Sequence, residues 1–306
     1  MLTKFTVIRF VVLFLVLTLT HSVLGKEAGN TAVYDPVTQD LPSINKSSPP
    51  AFHEVFIPVE DINLTGFILT ANGPGPHPTM VLLHGLPGNE KNLDLAQSLR
   101  RAGFNVLFFH YRGSWGSEGD YSFTTIHKDA LVAIKFLRDN ASKYKIDVEK
   151  LSLAGHSFGG YAVLRAGSVD TNLACVIALS AANPAAIAQS KRADDSFESN
   201  IGNYIDTLFM LDNFSGKQAL SELKNHQKEM DTRSYGEGLK GKQVLMLVGS
   251  EDKVTPSSLQ IEVAKYYADV KGLEFESRII TGDHAYSVSR IAMQRIVVGW
   301  SLSHCK

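Results

Sequence analysis

From residue 79 onward the chain alternates short, wholly apolar runs with longer stretches whose apolar residues recur at helical spacing. Thr79-Met80-Val81-Leu82-Leu83 is the first run. Asn92 to Ala102 follows with Leu93, Leu95, Ala96 and Leu99, and Gly103 stops it. Phe104 to Phe109 predicts the next strand, Ile126 to Leu137 the next helix, Leu151 to Ala154 a strand, and Phe158 onward a helix. Further strands are predicted over Leu173–Leu179, Gln243–Val248 and Leu273–Ile280, with helices over Ser257–Ala268 and Ser287–Leu302. Strands with no polar face are buried on both sides. Their alternation with helices predicts an α/β fold, a mostly parallel doubly wound sheet with helices on either face. Upstream, Phe52–Pro58 and Leu64–Thr70 predict an antiparallel pair that extends one edge of the sheet. Asn72 to Pro78, dense in Gly and Pro, is a turn.

The rhythm fails between Asn183 and Gly241, a stretch too long for a simple connection. It predicts a small helical cap insertion over the site, with a charged helix from Gln218 to Met230. Residues 26–50, rich in Asn, Ser, Pro and Thr, predict a flexible lead-in. The main domain is then 51–306. The first 25 residues stand apart. Lys4 and Arg9 precede the apolar run Phe10–Leu19, and His21-Ser22-Val23-Leu24-Gly25 is more polar. That is the layout of a signal peptide, with cleavage expected after Gly25 and a mature start near Lys26. A retained anchor fits less well, because a bilayer span needs about 20 apolar residues. The expectation is a secreted or periplasmic protein with no stable membrane insertion after signal removal.

Composition narrows the picture. Of 306 residues, 44% are apolar and 20% charged, as in an ordinary globular protein, and the net charge is −1. With no basic stripe, nucleic acid is not an expected partner. No H-E-x-x-H or other close ligand pair occurs, so neither a metal nor another cofactor is expected. The two cysteines are expected to be free thiols, since Cys175 lies in a buried strand and Cys305 at the chain end. Asn45, Asn63, Asn140 and Asn213 head Asn-x-Ser/Thr sequons.

Chemistry concentrates at Gly155-His156-Ser157-Phe158-Gly159, a G-x-S-x-G pattern between an apolar strand and a helix. A sharp strand-turn-helix there would expose Ser157 as a nucleophile, with Gly155 and Gly159 making room and Gly160 allowing close packing. A serine needs a base, and the base an orienter. Asp252, in Gly249 to Pro256, and His284, in Gly282 to Tyr286, each follow a strand. Open α/β sheets place their sites at such loops. Glu251 and Asp283 are rivals for the acid. His156 is expected to point away from the elbow, His84 and His110 to be structural, and His127 and His226 to be solvated. Two N–H donors are needed for an oxyanion. Phe158 is one, and Leu86, in His84-Gly85-Leu86-Pro87-Gly88, is the other.

These motifs, with the loop Tyr111 to Ser117, resemble the α/β-hydrolase superfamily from about residue 52 to the end. The doubled glycine and Tyr161 after Ser157 resemble its esterase and prolyl-oligopeptidase-type (dienelactone hydrolase-like) branch. The resemblance implies a serine hydrolase with the triad Ser157, His284 and Asp252. Only about 50 residues precede the fold, too few for the propeller of the peptidases. That favours small acyl esters over peptides, with a serine exopeptidase or a non-catalytic binding protein as alternatives. Trp115, Phe158, Phe197, Tyr204 and Phe209 are candidates to line an acyl pocket, though each suits a hydrophobic core as well. Arg112 is expected to pair with a carboxylate more than with substrate.

Overall fold

The computed structural model describes residues 34–191 and 196–306. The expected signal peptide and its cleavage point lie outside the described residues. The strands are β1 Ala51–Val59, β2 Ile62–Thr70, β3 His77–Leu83, β4 Asn105–Phe109, β5 Ile146–His156, β6 Cys175–Leu179, β7 Gln243–Gly249 and β8 Glu274–Ile280. They form one sheet in the order β1-β2-β4-β3-β5-β6-β7-β8. β1 pairs with β2, and β2 with β4, antiparallel; the remaining pairs are parallel. The expected edge pair is therefore where the sequence pattern places it.

The helices are α1 Leu93–Arg101, α2 Ile126–Asp139, the single turn α3 Ala141–Tyr144, α4 Phe158–Val169, α5 Pro184–Lys191, α6 Phe197–Asp206, α7 Gly216–Asn225, α8 Ser257–Ala268 and α9 Arg290–His304. A 3-10 helix spans Thr232–Leu239. Side chains alternate across a strand, so β3 feeds two cores. Val81 and Leu83 pack with Ala130, Ile134, Ala162 and Leu164 of α2 and α4. Met80 and Leu82 pack with Leu95, Leu99, Met293 and Val297 of α1 and α9. This is why the central strands carry no polar face. β8 departs from that rule. It is the far edge, largely exposed, and carries Glu274, Glu276 and Arg278, charges that blunt an open strand edge.

Two expectations are corrected. The cysteines are not free: Cys175 and Cys305 form a disulfide with Cα atoms 5.7 Å apart. Strand alternation puts Cys175 on the face covered by α9, and Cys305, at the end of α9, is buried in the same core. The bridge closes a loop of 130 residues. Cys305→Ser is expected to lower the unfolding free energy by about 2–5 kcal/mol. An unchanged urea midpoint would show that the bridge clamps nothing. The lead-in, where described, is not loose. Asp35 binds Arg295 at 2.7 Å, Arg101 donates to the Pro36 carbonyl at 2.6 Å, and Gly73 N–H donates to Ser48 O at 2.8 Å.

The stretch between β6 and β7 holds α5, α6, α7 and the 3-10 helix. The charged helix starts two residues earlier than expected, at Gly216, because Ser215 and Gln218 form a capping box ahead of it. It ends at Asn225, short of Met230. This region is tied to the loop after β4. Ser114 bridges Leu211, Trp115 N–H donates to Met210 O at 3.0 Å, and Asp212 N–H donates to Gly113 O at 2.8 Å.

Candidate active site

β5 ends at His156 and α4 begins at Phe158, leaving Ser157 alone in the turn with φ 60° and ψ −119°. A side chain rarely adopts positive φ, and such strain persists only where surrounding structure enforces it. Here Ser157 N–H donates to Leu179 O at 3.0 Å, and Ser157 O accepts from Tyr161 N and Ala182 N at 3.1 and 2.9 Å. The glycines are steric requirements. A Cβ on Gly155 would sit 2.2 Å from Gly159 O, and one on Gly159 would sit 2.4 Å from Leu83 O.

Asp252 follows β7 and is buried. Its Oδ1 accepts from Val254 N and Thr255 N, both at 2.9 Å. Its Oδ2 accepts from Thr255 Oγ1 at 2.8 Å, Gln260 Nε2 at 3.0 Å and His284 Nδ1 at 2.9 Å. Burial alone would raise its pKa, but the hydrogen bonds and charge of His284, with those of Thr255, hold the carboxyl below the ordinary range. The rivals stand aside. Glu251 is exposed, and Asp283 is exposed and takes Ser287 N and Ser287 Oγ, each at 2.7 Å. Gln260 and Thr255 were not singled out in the sequence. Thr255 has a local signal, a hydroxyl three residues after the acid; Gln260, on the next helix, has none.

The structure brings His284 to Asp252 and sets it beside the elbow. The rings of His156 and His284 lie 4.6 Å apart. His156 Nε2 donates to the His284 carbonyl at 2.7 Å, so the histidine next to the serine fixes the backbone of the other one. Among the described residues the Ser157 hydroxyl forms no hydrogen bond with His284. Such contacts often tighten only with substrate present.

The loop after β3 crosses the nucleophile. A Cβ on Gly85 would lie 2.8 Å from Ser157 Cβ and 3.4 Å from its Oγ. Among the described residues the amides of Leu86 and Phe158 find no acceptor. Phe158 packs its ring on Phe123, with centroids 4.7 Å apart. Trp115 Nε1 donates to Pro87 O at 2.7 Å. Tyr204 is 45% and Phe209 87% exposed, so neither forms a buried wall. Phe197 starts α6, and its side chain lies outside the described residues. Arg112 pairs with buried Asp129 at 2.6 Å. A cleft of about 530 Å³ opens between Asn89–Asp94 and Ala285, Ser287 and Arg290, and neither Ser157 nor His284 lines it.

Buried histidines make the fold sensitive to acid. His127 is half-buried rather than solvated, and burial pushes it down to about 4. Burial does the same to His84, to about 4, His110, to about 3, and His156, to about 4. An unfolded chain protonates these rings near pH 6.5, before the folded one can. Stability is therefore expected to fall as pH drops from 6.5 toward 4, with proton uptake on unfolding approaching four. Asp129, raised by burial, opposes this only at the acid end. Urea titrations at pH 7, 6 and 5 test it, and a flat midpoint would contradict it.

An eight-stranded, mostly parallel sheet with this elbow and these loops is the α/β-hydrolase fold. The BD-FAE family profile matches residues 67–258, and the chain belongs to that family. It is 32% identical over 124 residues to Esterase EstD of Thermotoga maritima, a match covering 36% of this chain and 28% of that esterase. The chain thus spans less than a third of that relative's length. Among solved structures, Est1E of Butyrivibrio proteoclasticus with ferulic acid bound is similar at 17% identity and TM-score 0.63, covering 82% of this chain and 98% of that one. The 2,6-dihydroxy-pseudo-oxynicotine hydrolase is similar at 18% and 0.62, covering 85% and 69%. Pyrococcus horikoshii acylaminoacyl peptidase is similar at 18% and 0.63, covering 82% and 41%.

Proposed function

We propose that the protein is a serine hydrolase that cleaves small acyl esters through an acyl-enzyme. The observation that carries this reading is the 2.9 Å bond from His284 Nδ1 to a buried Asp252, beside a serine held at φ 60°. Ser157 Oγ attacks the ester carbonyl while His284 Nε2 takes its proton. The carbonyl oxygen becomes an oxyanion held by Leu86 N–H and Phe158 N–H. As the tetrahedral intermediate collapses, the imidazolium returns the proton to the departing alkoxide. Water then repeats the sequence on the acyl-enzyme, with His284 as base, and frees the acid. Asp252 fixes the tautomer and stabilises the imidazolium.

Esterase EstD and Est1E with ferulic acid bound support ester chemistry; the acylaminoacyl peptidase supports amide chemistry on the same fold. Assay of the chain on p-nitrophenyl esters, lactones and aminoacyl-arylamides decides. Higher kcat/KM on esters is expected; higher kcat/KM on arylamides of equal acyl size would replace the esterase with an exopeptidase. Export is part of the proposal. It rests on the apolar run at Phe10–Leu19 and on a disulfide that suits an oxidising compartment. N-terminal sequencing of exported material should begin near Lys26.

A further inference from the structure

The residues under the oxyanion loop form a directed chain of hydrogen bonds. Gly85 O can only accept, so the 2.8 Å contact from His84 Nδ1 places the hydrogen on Nδ1. A neutral His84 then offers Nε2 as an acceptor, and His110 Nδ1, 3.2 Å away, must be the donor. The Gly85–Leu86 peptide is trans, unlike Leu86–Pro87. In a trans peptide the C=O and the following N–H point in opposite directions from one rigid plane. Whatever grips Gly85 O therefore aims Leu86 N–H. Bonding to the carbonyl also polarises the amide and strengthens its donor.

A second grip lies one residue on. Trp115 Nε1 donates to Pro87 O at 2.7 Å, its ring stacks on His110 with centroids 6.0 Å apart, and its own N–H donates to Met210 O. The loop folds down on this support, for a Cβ on Gly88 would lie 2.5 Å from His84 Nδ1 and 2.9 Å from Trp115 Nε1.

We infer that His110 and Trp115 are positioning residues for the oxyanion donor Leu86 N–H, His110 through His84 and Trp115 through Pro87, and that Trp115 ties this donor to the segment around Met210. The inference rests on the hydrolase reading above. It goes further in giving a catalytic consequence to two side chains whose polar atoms are turned to the loop. Both histidines are neutral at pH 7, since burial holds His84 at about 4 and His110 at about 3, so the direction of the chain is set.

The test uses the full chain with p-nitrophenyl acetate. His110→Leu removes the donor to His84, and Trp115→Phe leaves an aromatic ring there but removes the indole N–H. Each is expected to lower kcat roughly 10- to 100-fold with KM changed less than about twofold. His110→Asn puts an amide N–H where Nδ1–H stood and should restore most of the rate. Phenylboronic acid, which bonds serine and sets an oxygen in the oxyanion site, should bind more weakly by the same factor as kcat falls. Histidine 15N spectra at pH 7 should show His84 protonated on Nδ1. Unchanged kcat in both variants, a loss that His110→Asn does not restore, or a proton on Nε2 of His84 would each overturn the inference. A wild type with no turnover and no phosphonate label would instead remove the hydrolase reading, and the His84 tautomer would still decide the relay.

Discussion

Asp252→Asn is expected to lower kcat on small esters about ten-thousand-fold while leaving the fold in place. The reason lies in who donates to the carboxylate. Oδ1 accepts two backbone N–H groups, from Val254 and Thr255, which no side-chain change can remove. In an asparagine the oxygen must stay on that side. The amide nitrogen then faces His284 Nδ1, along with Gln260 Nε2 and the Thr255 hydroxyl. His284 can meet an N–H donor only by turning Nδ1 into an acceptor, which moves its proton to Nε2. Nε2 is then unable to take a proton from Ser157. The check is kcat at pH 7 beside a circular dichroism spectrum that keeps its native form. A loss under tenfold would mean that Asp252 does not set the tautomer.

Ser157→Ala is expected to have the largest effect, about a million-fold in kcat, because it removes the attacking atom. The residue that remains, roughly a thousand-fold above the reaction in water, belongs to the oxyanion donors and binding. KM should change little, since the hydroxyl is not needed to hold the ester. The backbone conformation at 157 will not relax far, being held by Leu179, Tyr161 and Ala182. Activity within tenfold of wild type would assign the chemistry to another group.

The parts of the fold that were legible in the sequence are those whose burial is symmetrical. β6 is apolar throughout, and β3, β4 and β7 are apolar beyond their first residues, because both faces meet helices and no turn or edge confuses the pattern. Ser157, Asp252 and His284 could be singled out because each follows a strand in chain order, so topology alone brings their loops to one end of the sheet. What was not legible depends on directions that sequence does not carry. Spacing does not tell that Cys175 faces the helix ending at Cys305. An indole reads as apolar lining until its N–H is seen bound to Pro87 O. Gln260 is an ordinary polar residue on a helix until that face is found against Asp252. The start of α7 was missed because the capping box Ser215-x-x-Gln218 lies in polar sequence that reads as loop.

The central claim is that Ser157 is a nucleophile activated by His284. Exposure of the folded chain to a fluorophosphonate, followed by intact mass and peptide mapping, tests it most directly. The account predicts one adduct, on the peptide carrying Ser157, lost in Ser157→Ala and His284→Ala. A folded wild-type chain that takes no adduct, or takes it on another residue, would contradict it.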